Sequence, residues 1–285
     1  MIDFTVDLKI RNMISSIVMG KTLLVHFVGE MGHELMSFQG YVRAMSRNYD
    51  KTIVITRPLN GAIYADFADE IIAYTPSTEN TNHSTCVDDM PPRYYDQFDY
   101  DDIIPANTTL AKWFPGKGIW VNKKIVPSGL RQEFVRYGRR DRECGYDILF
   151  HVRSTNKKNT GRRNQPASHW MELVQNLQEF SIACIGTEKA SLWIPGTDDM
   201  RGVGMQRLMN LMASSELVAG VSSGPIHLAS LCGTPHLVWS QKLNRRRYFE
   251  DWNPFRTECV FMDQENWKPS AEKVEKAIRE YFTKK

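Results

Sequence analysis

The sequence predicts an α/β protein whose strand–helix pattern runs in two halves, each with a parallel sheet. Three observations predict it. Short apolar, β-branched runs alternate with segments whose apolar residues recur at helical spacing, the pattern of a parallel sheet covered by helices. The pattern begins near Lys21 and restarts near Tyr146, after an irregular stretch holding Pro76, Pro91-Pro92, Pro105 and Pro115. The 285 residues suffice for two domains of about 140 residues each, or for one large α/β domain. The expected domains are 1–143 and 144–285.

In the first half, Lys21–Val28 is apolar enough for a buried strand, and Gly29-Glu30-Met31-Gly32 breaks it. From His33, Leu35, Phe38, Val42 and Met45 recur at helical spacing. Lys51–Thr56 is a second strand, Ala62–Ala68 a short helix and Glu70–Tyr74 a third strand. Residues 75–118 read as loop with one or two short helices, and the charged Phe134–Arg142 as the hinge. In the second half, Tyr146–Val152 is a strand followed by a basic polar loop to Gln165. Ser168 is positioned to cap a helix through Leu177. Phe180–Ile185 is a strand, and Met205–Ser214 a helix with Leu208, Met209 and Met212 on one face. Glu216–Val221 and His236–Trp239 are strands separated by a helix over Gly224–Leu231. Ser270 can cap a last helix with Val274, Ala277, Ile278 and Phe282 inward.

Composition excludes several classes. Apolar residues are 42% and charged residues 24% of the chain, ordinary for a globular protein. No apolar run approaches the ~18 residues of a membrane helix. Met1–Met19 carries Asp3, Asp7, Lys9 and Arg11 and lacks the layout of a signal peptide, so a cytoplasmic location is expected. The five cysteines form no CxxC pair, which argues against zinc and dithiol chemistry, and Cys184 and Cys232 read as buried thiols. Asp88-Asp89, Asp101-Asp102 and Asp198-Asp199 are adjacent pairs in polar loops, where neighbours point apart, so no metal pair is expected. The net charge is +3, unevenly spread: Asn60–Leu110 holds ten acids and one Arg, Lys117–Arg163 thirteen Lys/Arg and four acids. These are either solvated faces that offset each other or a basic surface for a polyanion.

The most informative run is Gly220-Val221-Ser222-Ser223-Gly224-Pro225-Ile226-His227, continuing to Gly233-Thr234-Pro235. It reads as strand, small-residue turn and helix. A helix starting at Ser223-Gly224 aims free N–H groups and its positive dipole end at the turn, which suits a phosphate. Gly224 allows close approach, Ser222 and Ser223 add hydroxyls, and His227 lies one turn on along the same face. The alternative is an ordinary turn whose serines cap the helix.

Together with Met205–Gly220, this run resembles the sugar-nucleotide site of heptosyltransferase-like glycosyltransferases, best over residues 200–240 and less over 21–57. The resemblance implies a GT-B-like architecture, two Rossmann-like domains facing across a cleft. It also implies metal-independent transfer from a nucleotide-sugar, with no permanently bound cofactor. The family carries an Asp where this chain has Ser222.

Ligands of open parallel sheets bind beyond the carboxyl ends of the strands. Those ends are Gly29–Glu34, His151–Ser154, Gly186–Glu188, Ser222–Gly224 and Ser240–Lys242. The expected donor site comprises Arg153, Gly186, Thr187, Glu188, Ser222, Ser223, Gly224 and His227. Arg153 offers a fork for two diphosphate oxygens, the alternative being a surface ion pair. Glu188 suits a ribose hydroxyl, the alternative being charge in a first helical turn. Lys242, Arg246 and Arg247 are candidate phosphate or acceptor contacts. With Lys157, Lys158, Arg162 and Arg163 they can form a basic rim, while Trp252 and Phe255 read as packing residues.

Inverting transfer needs a base for the acceptor hydroxyl. The resemblance aligns the family's Gly-Asp turn with Gly32-His33, so His33 stands where the catalytic Asp is expected. The candidates are Glu34, His33 and Glu30, in that order; the alternatives are a first-turn charge for Glu34 and a cap for His33. Three functions follow. The first is an inverting glycosyltransferase acting on a surface glycan or a lipid-linked precursor. The second is a virus-type transferase acting on a hydroxylated DNA base, which the basic segment would serve. The third is a nucleotide- or glycan-binding protein without catalysis, favoured by Ser222 and His33 in place of acids.

Overall fold

The computed structural model describes residues 20–27, 29–75, 92–104, 132–141, 143–155, 161–264 and 266–285. Outside the described residues lie the Met1–Met19 segment, most of the acidic loop with Cys86 and Asp88-Asp89, and 105–131 with the start of the basic segment. Lys157 and Lys158 lie outside them too.

Two compact units divide the chain: 1–30 with 37–133, and 31–36 with 134–285. A cut near 143 would leave Phe134–Asp141 in the first half. The second unit holds this segment instead, through Tyr137 N–H to the Leu231 carbonyl (3.0 Å), Arg139 N–H to Asn210 Oδ1 (3.0 Å) and Asp141 N–H to Ser214 Oγ (2.8 Å).

The first unit carries a parallel four-stranded sheet in the order β3-β2-β1-β4. Its strands are β1 (Thr22–Phe27), β2 (Lys51–Thr56), β3 (Glu70–Ala73) and β4 (Asp102–Ile104). β1 and β2 run in register from Thr22 beside Lys51 to Phe27 beside Thr56. The apolar runs make sense as strands buried on both faces. The segment after β1 begins as a turn of helix at Met31–His33, widens to a π segment over Glu34–Phe38, and continues as α1 (Gln39–Ser46). The expected helix over Ala62–Ala68 is only a 3-10 turn, Gly61–Ile63. Within the irregular stretch, Pro92–Gln97 is a 3-10 helix. β4 lies in the stretch expected to be loop; it is three residues long and takes its register from β1.

The second unit carries a parallel six-stranded sheet in the order β10-β9-β8-β5-β6-β7. The strands are β5 (Ile148–His151), β6 (Ile182–Gly186), β7 (Asp198–Arg201), β8 (Leu217–Val221), β9 (His236–Ser240) and β10 (Cys259–Asp263). The helices are α2 (Ala167–Asn176), α3 (Met205–Ser214), α4 (Gly224–Cys232) and α5 (Ala271–Thr283). Asp198-Asp199 is not a loop pair. It forms edge strand β7, where Tyr146 hydrogen-bonds Asp198 (2.7 Å) and Arg201 grips Asp199 (2.8 Å).

Ser270 caps α5 by accepting from Lys273 N–H at 3.3 Å. Ser168 does not cap α2, whose N-cap is Pro166. Trp170, Leu173, Trp239, Val274 and Ile278 fill one core with β5, β6 and β8. Cys184 and Cys232 are buried thiols, as expected. No described helix is long and apolar enough to cross a membrane. Among the described residues, no group of three His, Cys, Asp or Glu is arranged around a metal position.

Candidate functional site

The order of the second sheet reverses between β5 and β8, and ligands of parallel sheets gather at such reversals. The Ser222-Ser223 turn leaves β8 at this point and enters α4. Pro225 stands in the first turn of α4, where its missing N–H costs nothing. The Ser222 N–H bonds the Trp239 carbonyl and the His227 N–H bonds the Ser223 carbonyl. Helix geometry leaves the Gly224 and Ile226 amides without intrahelical acceptors. A Cβ on Gly224 would lie 3.1 Å from the Met31 sulfur, so the small residue lets Met31 pack closely against the turn.

Ser223 is the N-cap by position, yet neither serine caps the helix with its side chain. Both hydroxyls are engaged elsewhere. Ser223 Oγ lies 2.9 Å from His151 Nδ1. Ser222 Oγ accepts from the Tyr248 hydroxyl at 2.6 Å. The Ser222 carbonyl accepts from Arg163 Nη1 at 3.1 Å, and that guanidinium lies over the Trp267 ring. A cation, a helix N-terminus and two immobilised serines therefore meet at one turn.

The remaining expected donor residues surround this turn to different degrees. Arg153 follows His151 closely, is buried, and gives Nη1 to Asn164 Oδ1 at 2.6 Å. Gly186 ends β6 at φ +120°. Thr187 and Glu188 are exposed in the turn that follows, which Ser191 closes by donating Oγ–H to the Thr187 carbonyl (2.6 Å). His227 is buried one turn down α4; its ring stacks on Tyr248 (4.7 Å) and meets Trp252 edge-on (4.7 Å). It supports the turn from beneath.

Lys242 stands exposed in a 3-10 turn. Arg246 is exposed and paired with Glu250 (3.1 Å) and Asp251 (3.3 Å). Arg247 lies over Trp252 at 4.3 Å. Trp252 is buried, as its reading as a packing residue required, and Phe255 is half-buried under Arg136.

The acid–base candidates differ sharply in access. Glu34 is 0% exposed inside the π segment, and His33 is 6% exposed, edge-on to Trp252 at 5.1 Å. Glu30 is half-buried, between β1 and the helix start.

Sequence reading missed two residues that build the turn. His151 was visible at a strand end, but its partner lies 72 residues away. Tyr248 sits 26 residues beyond Ser222, in a π segment (Arg247–Asp251) that no periodicity announces. Arg163 was placed only in a basic rim, and its bond to the Ser222 carbonyl gives it a more specific place.

The buried imidazoles carry a stability consequence. Burial, then Arg153, lowers His151 to about 3. Burial lowers His236 to about 4. Burial, then Arg247, His236 and His33, holds His227 well below the ordinary imidazole range. The unfolded chain protonates these groups near pH ~6.5, and the folded chain only far lower. Stability is therefore expected to fall as pH drops below about 6.5, by up to about 1.4 kcal/mol per pH unit for each such histidine. Urea midpoints between pH 7 and pH 5 check this, and a flat response would contradict the burial of all three.

No protein-family model matches the chain, and no curated protein does. Solved structures do. Escherichia coli ADP-heptose LPS heptosyltransferase II matches at TM-score 0.59 and 10% identity, over 92% of this chain and 99% of that one. Heptosyltransferase WaaC of E. coli, solved with ADP, matches at 0.55 and 11%, over 91% and 99%. A family 9 glycosyl transferase of Veillonella parvula matches at 0.52 and 11%, over 93% and 98%. The chain has the fold of these glycosyltransferases. At such identities the likeness is one of fold, and it extends over nearly the whole of each compared chain.

Proposed function

We propose that this chain is a glycosyltransferase that binds a nucleotide-sugar at the α4 N-terminus and moves the sugar to an acceptor hydroxyl. The observation that carries the reading is the turn itself. Helix amides, the Arg163 guanidinium and serines held by His151 and Tyr248 converge at the strand-order reversal of the second sheet. Charge develops on the leaving diphosphate as the glycosidic bond breaks. Donors fixed in advance at that position stabilise the charge without reorganising. Glu188, exposed at the end of β6, suits the ribose hydroxyls, and Arg153 is the nearby second cation.

Transfer with inversion then requires one base on the acceptor side. We assign it to Glu30, because Glu34 and His33 are enclosed. The same reading takes the reaction as metal-independent and cytosolic, with a surface glycan or its lipid-linked precursor as acceptor. A second reading, nucleotide-sugar binding without transfer, draws on the enclosure of those two residues.

Calorimetry with ADP, UDP, GDP and CDP, followed by release of sugar from the matching nucleotide-sugars, tests both readings. Arg163→Ala is expected to weaken diphosphate binding by about 10- to 100-fold, the range for a lost charge-assisted hydrogen bond. It should leave the melting temperature within a few degrees, since the side chain is only half-buried. Wild-type protein that binds none of the four diphosphates would overturn the assignment. Binding without any turnover would leave the second reading.

A further inference from the structure

The Ser222-Ser223 turn is braced from below by an element that lies outside the strand ends. The π segment Arg247–Asp251 directs Tyr248 inward. Asn253 holds the segment in place, giving Nδ2–H to the Tyr248 carbonyl (3.1 Å) and the Thr257 carbonyl (2.7 Å). Thr257 in turn donates to the Ser230 carbonyl of α4 at 2.7 Å, so segment and helix are one hydrogen-bonded block. Within it the Tyr248 ring stacks on His227, with an interplanar angle of 16°.

The hydroxyl of this buried ring has its short contact to Ser222 Oγ, and a longer one of 3.3 Å to His227 Nε2. Ser222 is the junction of the site. Its side chain is held by Tyr248, and its carbonyl receives Arg163. A residue fixed at both ends cannot relax when an anion arrives, and the ordering cost is met before binding.

We propose that Tyr248 is a positioning residue for nucleoside diphosphate binding. By donating its hydroxyl to Ser222 from beneath, it holds the α4 N-terminal turn and the Arg163 carbonyl contact in receiving geometry. The inference rests on the diphosphate reading of the turn. It adds a residue that touches no ligand and acts through Ser222 alone.

A double-mutant cycle separates this role from general packing. The probe is whichever of ADP, UDP, GDP and CDP the wild type binds, with Kd measured by calorimetry below every variant's melting range. Tyr248→Phe keeps the ring and its stack on His227 and loses only the hydroxyl. It is expected to weaken binding about 3- to 10-fold. Ser222→Ala should weaken it by a similar factor, and Tyr248→Phe/Ser222→Ala by no more than the larger single change.

Losses that multiply in the double variant would overturn the proposal. So would a Tyr248→Phe protein with a lowered melting temperature and an unchanged Kd, the signature of a purely structural tyrosine. If Tyr248→Phe fails to fold, Ser222→Ala alone carries the test, and an unchanged Kd there overturns it. If wild-type protein binds no diphosphate, the diphosphate reading falls and takes this inference with it. If wild type binds and Tyr248→Phe binds equally well, only the inference falls.

Discussion

Glu30→Gln is expected to slow sugar transfer by about 10²- to 10⁴-fold, the usual contribution of a general base, with donor Kd unchanged. A base must reach the acceptor hydroxyl, and access separates three residues that the sequence could not. Glu34 has no exposed surface, and His33 is closed against Trp252. Glu30 keeps part of its surface open at the carboxyl end of β1, where open parallel sheets place their chemistry. The amide of glutamine preserves shape and removes basicity, so kcat falls without loss of fold. Glu34→Gln makes the same atomic change in an enclosed place, and its effect should appear in the melting temperature. Steady-state kinetics with the cognate nucleotide-sugar decides. Transfer at the wild-type rate by Glu30→Gln would reject the assignment. Loss of turnover in Glu34→Gln at unchanged melting temperature would move the base to Glu34.

The sheet interiors were legible because parallel strands buried on both faces are written as continuous apolar runs. β1, β2, β5, β6, β8 and β9 all announce themselves in this way, and α3 and α5 carry apolar stripes at helical spacing. Of the four edge strands, only β3 was legible. β7 reads Asp-Asp-Met-Arg and β4 only Asp-Ile-Ile, patterns that propensity assigns to loops. Each becomes a strand because an inner strand offers it hydrogen-bonding partners, β6 for β7 and β1 for β4. The same non-local cause explains β10, which follows an aromatic-rich loop and pairs with β9.

The site divides along the same line. The turn at Ser222–Gly224 was readable, since small residues between an apolar strand and a helix say where N–H groups are bare. What the serines do was not readable. Capping and ligand contact were the two roles local sequence suggested, and the hydroxyls instead meet His151 and Tyr248, residues distant in the chain. His227 illustrates the limit: helical spacing put it on the face of the turn, and only packing shows Tyr248 and Trp252 closed around it.

Gly186→Ala is expected to destabilise the second unit by about 2–5 kcal/mol, combining backbone strain with overpacking. The residue sits at φ +120°, a region that side chains rarely adopt. A Cβ there would lie 2.5 Å from Ser191 Oγ and 2.9 Å from His151 Cδ2. Neither neighbour can yield cheaply. Ser191 is buried and committed to the Thr187 carbonyl, and His151 is held by Ser223 Oγ. The melting temperature should drop by roughly 5–15 °C for a unit of this size. Diphosphate binding should weaken as well, because the displaced imidazole is the one that holds Ser223. Gly204→Ala is the matched control: φ is −61° and a Cβ there meets nothing within 4 Å. Its cost should stay within about 1 kcal/mol, since the gain in chain stiffness and the loss of an N-cap glycine are both small. Thermal melts of the two variants, with and without diphosphate, make the comparison. Equal melting temperatures would show that the β6 end can rearrange around a methyl group, and that His151 is not the fixed support on which the Ser223 side of the turn depends.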